Sequence, residues 1–561
     1  MSKIWLKNYP EGVPEHIDYP NITMYQLFEE KANRWSENTS LIFMGKKMTY
    51  AELKEKVDTF SYALHELGIK KGDKVAILMP NCPQVVISYL ATLRLGAMVV
   101  MCNPMYTEDE LVHQLNDSET ETVITLDMVM TYPKIENLID RTKIKRVIVS
   151  DLKEYLPFML SILFPIARRR ELVKVVEGPG IYFFKDLLKK YKDHSSSPID
   201  VDIDPSEDVA LLQYTGGTTG LSKAAMLTHK NIVSNALQAR SWFVNGVDGE
   251  EVCMGALPFF HVYGMTIAMN ISLVLGGSIV LMPDPRDIKS LLKCISKYKV
   301  TIFPGVPTMY VAINNFPGVE GYNLSTIKSC LSGAAPLPLD VIQKFEKITG
   351  GKLVEGYGLT ESSPLTHANP LVGKVKIGSI GVAVPDTEMK IVDLLEGEEE
   401  QPVGSEGELI IKGPQVMKGY WKSPDDTRVA LRDGWLYTGD IAKMDEDGYT
   451  YIVDRKKDMI IAGGYNIYPR DIDEVLFEHP KVLKACAVGI PDQYRGESLK
   501  AFVVLKAGEF ATEQEIIDFC SERLAKYKVP KSVEFRDELP ETMVGKVLRR
   551  ALREEAIEKG G

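Results

Sequence analysis

The chain has 561 residues, enough for several packed subdomains rather than one core. Apolar residues make up 45% and charged residues 25%, the balance of a globular protein, and the formal net charge of −11 argues against a nucleic-acid partner, which calls for a basic surface. An anionic small substrate stays open, because a few Lys and Arg can gather locally in an acidic protein. The seven cysteines (Cys82, Cys102, Cys253, Cys294, Cys330, Cys486, Cys520) are scattered without a CxxC pair. That pattern predicts a reduced intracellular protein without thiolate-bound metal. The start, Met1-Ser2-Lys3-Ile4-Trp5, lacks the apolar run of a secretory leader, so a cytoplasmic protein is expected.

In chain order, short apolar runs at 75–79, 122–126 and 146–149 are bounded by Gly, Pro, Asn or Asp and predict buried parallel strands. Residues 84–95 between them carry apolar positions at helical spacing. This alternation predicts an α/β class with layered sheets and helices. Residues 155–167 are apolar, hold two prolines and end in Arg168-Arg169-Arg170. They are too short to span a bilayer. Two readings follow: a buried or dimer-packed helix, or a segment lying on the inner membrane face with its arginines on lipid phosphates. After about residue 375 the texture turns to period-two alternation, broken by the acidic turn 396–400 and by Asp447-Gly448, a hairpin signal. The sequence therefore predicts a large domain over 1–454, its β-rich part at about 375–454, and a small α+β domain over 455–561. Within the latter, helices are expected at 470–478 and 512–526 and strands at 485–489 and 501–505.

The chemistry concentrates first in Tyr214-Thr215-Gly216-Gly217-Thr218-Thr219-Gly220-Leu221-Ser222-Lys223. Three glycines let the backbone approach an anion, three threonines add hydroxyl donors, and Lys223 adds a charge, which together suit a triphosphate tail. The spacing is not that of GxxxxGK[ST], since Leu-Ser separates Gly220 from Lys223. A plain flexible turn would account for the glycines but not for the hydroxyls and the lysine.

This loop resembles the phosphate loop of the adenylate-forming superfamily, which holds acyl-CoA synthetases, luciferases and the adenylation domains of peptide synthetases. Further segments resemble that family's motifs in the same order. They are Leu257-Pro258-Phe259-Phe260-His261, Ser332-Gly333-Ala334-Ala335-Pro336, Glu355-Gly356-Tyr357-Gly358-Leu359-Thr360-Glu361, Trp435-Leu436-Tyr437-Thr438-Gly439-Asp440, Gly463-Gly464-Tyr465-Asn466-Ile467 and Gly545-Lys546. Ser222, Gly217 and Ala224 depart from residues common in relatives. The resemblance implies ATP, Mg2+ and coenzyme A as reactants or cofactors, and a small domain that moves. It implies that Gly333, Ala334, Ala335, Glu355, Gly356, Tyr357 and Gly358 cradle the nucleotide, that Asp440 and Arg455 hold the ribose, and that Glu361 holds the metal. Thr360 would meet the α-phosphate, His261 would line the carboxylate position, and Lys457 would be the hinge. Gly463, Gly464 and Tyr465 would form the thiol-step loop, and Lys546 would be the lysine that bridges acid and phosphate.

Tyr263, Gly264 and Met265 open the expected acyl pocket. No acidic residue lies between 257 and 279, so an amino acid's ammonium group would be buried unpaired, at a cost of several kcal/mol. Met265, Ile267, Ala268, Met269, Ile271, Leu273, Val274 and Leu275 favour an apolar tail, with Gly264, Gly276 and Gly277 expected to leave it room. The pattern is most like medium- or long-chain fatty acyl-CoA ligases, with a hydroxycinnamate-like aryl acid as the alternative. An acyl-AMP ligase serving a carrier protein, a luciferase-like oxygenase and an adenylate-binding sensor are the rival classes. A homodimer is a further expectation.

Overall fold

The computed structural model describes residues 3–197, 199–215, 222–462, 465–492, 496–541 and 547–560, and for Tyr465, Asn466 and Gly560 the backbone only. Five strand groups organise them. The largest has eight strands in the order 419–420, 224–228, 209–214, 98–101, 74–78, 122–126, 146–150 and 181–183. It is parallel from Val209–Tyr214 outward to Ile181–Phe183, and only its first two pairings are antiparallel. The three strands anticipated at 75–79, 122–126 and 146–149 lie side by side in it, as Lys74–Leu78, Thr122–Leu126 and Arg146–Ser150. The helix expected at 84–95 runs Pro83–Arg94, and every residue from Pro83 to Leu93 is buried. Burial on all sides is what a helix clamped between two layers requires.

Strands 252–255, 278–281, 39–43 and 46–49 form a second group, and strands 329–332, 352–358, 365–368 and 382–383 a third. Single bridges from Cys253 through Ile302 to Ser329 join the two. The antiparallel group of Glu388–Val392, Gly407–Lys412, Leu431–Arg432, Trp435–Met444 and Thr450–Arg455 makes the β-rich part. Its acidic turn is organised by Asp393, whose carboxylate accepts N–H bonds from Leu395, Glu396, Glu398 and Glu399. Val382–Ala383, expected in this sheet, pairs instead with Leu365–Ala368.

Residues 460–560 build their own sheet and their own two cores. Strands Val482–Asp492 and Gly496–Leu505 alternate sides in the way a pleat dictates. Ala485, Ala487, Ala501 and Val503 face helices Pro469–Glu478 and Glu513–Ser521, while Cys486, Val488, Phe502 and Val504 face helix Arg549–Gly560 through Leu552 and Ala556. The helix expected over 512–526 stops at Ser521, and a 3-10 turn follows at Lys526–Lys528. The chain is thus α/β, with a large N-terminal and a small C-terminal domain.

In the segment 155–170, Tyr155 and Leu156 are buried and Phe164 packs against the core, but the rest of the segment is largely exposed. Its helix, Phe158–Ala167, has no buried residue, which corrects the buried reading. Among the described residues no helix is long and apolar enough to cross a membrane.

Because Leu552 is buried in the small outer core, Leu552→Ala should cost about 2–4 kcal/mol there. Hydrogen exchange should accelerate in helix Arg549–Gly560 and stay unchanged in helix Tyr50–Glu66; equal acceleration in both would contradict separate cores.

Candidate active site

Ligands of open parallel sheets bind beyond the carboxyl ends of the strands. Those ends, with the antiparallel sheet above them, gather most of the motif residues here. Strands Trp435–Met444 and Thr450–Arg455 pair so that Asp440 stands opposite Arg455. The Arg455 Nε lies 3.5 Å from Asp440 Oδ1. From the end of strand Lys352–Gly358, Tyr357 donates its hydroxyl to Asp440 Oδ2 at 2.5 Å. Burial, and then the charge of Asp440, push the Tyr357 phenol well above its ordinary range, so it remains a donor. The buried Asp440 side chain is therefore held between two donors, with its oxygens placed to accept further hydroxyl hydrogen bonds.

Strand Val209–Tyr214 delivers Thr215, whose N–H donates to the Lys223 carbonyl at 2.8 Å and so ties together the two ends of the 215–223 motif. Gly216, Gly217, Thr218, Thr219 and Gly220, within it, lie outside the described residues. Tyr420 pairs with Ala225, two residues past Lys223, so register alone sets their side chains close together. The Lys223 ammonium stands 5.8 Å from the Tyr420 ring centre and is ion-paired with Asp426. That pairing holds the Asp426 carboxyl below its ordinary range. The Tyr420 hydroxyl donates to Glu361 Oε1 at 2.7 Å. Thr360 and Glu361 occupy the 3-10 turn Thr360–Ser362, and the Met417 N–H fixes that turn by bonding the Glu361 carbonyl at 2.8 Å.

Beside this, buried Asn81 ties the 255–259 loop, donating to the carbonyls of Gly255 (3.0 Å) and Leu257 (2.7 Å) and accepting from the Phe259 N–H (2.8 Å). His261 follows, half-buried, its Nδ1 accepting from the Tyr263 N–H at 3.2 Å. An accepting Nδ1 leaves the proton of the neutral ring on Nε2. Tyr263 donates to the carbonyls of Gly305 (3.1 Å) and Leu331 (2.7 Å), and a Cβ on Gly333 would stand 3.1 Å from its ring. It thereby separates the 332–335 segment from the apolar stretch. Ala334 adopts φ +72°, a strained value for a residue with a Cβ. Met265–Asn270 is a π turn, an arrangement often kept at functional positions. The glycines do not leave a tail room. A Cβ on Gly264 would stand 2.4 Å from the Pro258 carbonyl oxygen, one on Gly276 would strike Trp35, and one on Gly277 the Glu251 carbonyl. They are glycines because backbone and an indole pack there.

At the junction, burial lowers the Lys457 ammonium pKa, Arg455 lowers it further, and Asp458, Asp440 and Glu361 pull it back up. One cation thus senses both candidate ligand-binding carboxylates. Glu355 stands under Arg470 from the small domain, and burial raises its carboxyl to about 7 against that arginine. Gly356 and Gly358 permit close packing: a Cβ on Gly358 would lie 2.0 Å from the Pro364 carbonyl oxygen. Gly463, Gly464 and Lys546 lie outside the described residues, as does the side chain of Tyr465. Glu541 and Val547, on either side of the stretch that holds Lys546, form an antiparallel bridge.

Two family models match, AMP-binding enzyme over residues 28–421 and AMP-binding enzyme C-terminal domain over residues 471–546. The chain belongs to the AMP-binding enzyme family. It is similar to the long-chain-fatty-acid–CoA ligase of Bacillus subtilis (strain 168), at 47% identity over 99% of each chain. ATP-bound MatB from Rhodopseudomonas palustris matches with a TM-score of 0.81 at 29% identity, over 96% of this chain and 100% of that one. Apo MatB, at 28% identity and the same coverage, gives 0.70.

Within this family member, three contributors escaped the sequence reading. Tyr420 and Asp426 sit in Gly-Tyr-Trp-Lys-Ser-Pro-Asp-Asp, which carries no spacing that announces a partner for Glu361 or Lys223. Asn81 lies far from the loop it holds, and an isolated Asn-Cys-Pro reads only as a turn.

Glu355 titrates at about 7 in the fold and at its ordinary value of 4.5 when unfolded. Between these values the unfolded state binds fewer protons, so this group's contribution to stability falls as pH rises from about 4.5 to 7. Glu355→Gln should melt higher than the parent at pH 8 and match it at pH 4.5; calorimetry showing the same difference at both pH values would contradict this.

Proposed function

We infer that the protein joins a medium- or long-chain fatty acid to coenzyme A through an acyl-AMP intermediate, consuming ATP and releasing AMP and pyrophosphate. The observation that carries the reading is the convergence of Asp440–Arg455–Tyr357 with Glu361–Tyr420 and Lys223–Asp426, because nucleotide and acid demand just those groups. Asp440 accepts the ribose hydroxyls. Lys223, released from Asp426, and the Thr215 hydroxyl meet the phosphate tail. Thr360 donates to the α-phosphate, and His261 Nε2–H faces the incoming carboxylate.

Glu361 is a single hard oxygen donor whose first oxygen is fixed by Tyr420, and among the described residues no cluster of three potential ligands could cage a cation. One carboxylate plus substrate phosphates is how Mg2+ is commonly held, so the residues fit it. When bound, Mg2+ supplies positive charge to the phosphate oxygens.

Adenylation joins an acid oxygen to the α-phosphorus and breaks the bond to pyrophosphate. Lys546 neutralises both anions as they meet. The thiol step then forms the thioester and expels AMP, and Gly463 and Gly464 give the thiol passage. Lys546 and this loop cannot occupy one place, so the small domain turns on the charged junction at 454–458 between half-reactions. In support, Asp454 accepts N–H bonds from Arg455 (2.7 Å) and Arg470 (2.9 Å), while Arg549 reaches Asp458 (3.4 Å) and Asp473. A polar cleft of about 460 Å3, lined by Lys443, Tyr451, Arg470, Glu474 and Lys528 among others, separates the small domain from the antiparallel sheet. Rotation therefore need not uncover an apolar core.

For the acid, the fully buried run from Met265 to Leu275 without a carboxylate favours an apolar chain, worth about 0.8 kcal/mol per CH2 removed from water. Thioester formation should rise along a panel from acetate to palmitate and stay low with hydroxycinnamates; the reverse order would assign an aryl acid. Lys546→Ala should lose adenylation by about 10²–10³-fold while still converting supplied acyl-adenylate to thioester. Equal loss of both steps would refute the division of labour.

A further inference from the structure

Helix Phe158–Ala167 contains one polar residue, Ser161, whose hydroxyl bonds the Phe158 carbonyl at 2.7 Å. Phe158, Met159, Leu160, Ile162, Leu163 and Ile166 are exposed by 77, 67, 41, 52, 50 and 73%. At 3.6 residues per turn these six cover an arc of about 200°. A helix resting on a protein core shows an apolar stripe about half as wide. Only Phe164, on the far side, packs toward the core. The helix is nonetheless held firmly at both ends. Tyr155 before it is buried, and the Lys46 ammonium, beneath it, donates to the Glu154 carbonyl at 2.8 Å. Behind it, Val129 N–H donates to the Glu171 carbonyl and Val173 N–H to that of Asp127, both at 2.9 Å. Val129 and Met130, on the segment so tied, are exposed as well.

The charge at its edge runs against the whole. The chain carries −11, yet residues 168–177 hold Arg168, Arg169, Arg170 and Lys174 against only Glu171 and Glu177. Glu171 is already taken by Arg168 at 2.5 Å. Arg169 and Arg170 are exposed.

We propose that helix Phe158–Ala167 and the adjoining Arg168–Arg170 form a docking surface for an anionic phospholipid bilayer. The apolar arc enters the boundary between headgroups and acyl chains, and the arginines sit on lipid phosphates. A fluid apolar medium accepts side chains pointing over half a circle, which a second rigid protein surface does not. The surface is assigned from its own geometry and goes beyond the ligase reading, holding whichever acid is used.

The test is co-sedimentation of the full chain with vesicles of phosphatidylcholine alone or mixed with phosphatidylglycerol. The parent should sediment with the anionic vesicles and less so as salt rises. Ile162→Glu with Ile166→Glu, and separately Arg169→Ser with Arg170→Ser, should each weaken that binding by about tenfold or more. Because all four side chains are exposed, ligation of a water-soluble short-chain acid should be unchanged in both variants, which also reports that they are folded. Equal sedimentation with neutral and anionic vesicles, or parent-like binding by both variants, would overturn the proposal. So would light scattering that shows a dimer abolished by the glutamates while vesicle binding persists. None of these readouts depends on catalysis, so the docking surface and the ligase reading can fail separately.

Discussion

Two anions have to touch. A carboxylate and an α-phosphate oxygen at about 4 Å repel by roughly 4 kcal/mol at an effective dielectric constant of 20, before the remaining phosphate charge is counted. A site that solves this with fixed cations must also keep its own carboxylates from adding to the repulsion. Here Asp440, Glu361 and Asp426 each have a donor already in place: Tyr357 and Arg455 on Asp440, Tyr420 on Glu361, and Lys223 on Asp426. The negative charge that would serve ribose and metal in the proposed reading is thus present without being loose. In the proposed reading, ATP competes with Asp426 for Lys223, so the phosphate loop's cation is held ready rather than left in water.

The architecture follows from that requirement. No single strand end can supply ribose, metal and phosphate contacts at once. Tyr357 and Glu361 come from the third strand group, Lys223 and Tyr420 from the eight-stranded sheet, and Asp440 and Arg455 from the antiparallel sheet. The three meet because strand Gly419–Tyr420 leaves the antiparallel part to pair with Ala224–Thr228. Lys457 lies just beyond Arg455, ahead of the C-terminal sheet that starts at Ile460, and feels both Asp440 and Glu361. Movement of the small domain would therefore change the field at the site as well as the groups that reach it.

Much of this was legible in the sequence, and the limits have physical causes. Buried parallel strands announce themselves as apolar runs, so Lys74–Leu78, Thr122–Leu126 and Arg146–Ser150 were readable. Asp440 and Arg455 were readable as a pair through the family resemblance, and the hairpin register sets them opposite each other. Partnerships across sheets were not: the Tyr420–Glu361 bond spans 59 residues and the Asn81 ties about 175, and no local pattern encodes either. Glycine was misread at 264, 276 and 277, where a missing side chain could mean open volume or a close neighbour, and only coordinates tell which. The segment 155–167 was ambiguous for a like reason, since apolar composition does not say whether protein or lipid covers it.

The central claim, that this cluster lets a carboxylate reach ATP, is tested most directly by exchange of labelled pyrophosphate into ATP by the purified full chain with Mg2+ and no coenzyme A. The account predicts exchange that is absent without acid and appears when a fatty acid is added. Exchange that no carboxylate stimulates would contradict it.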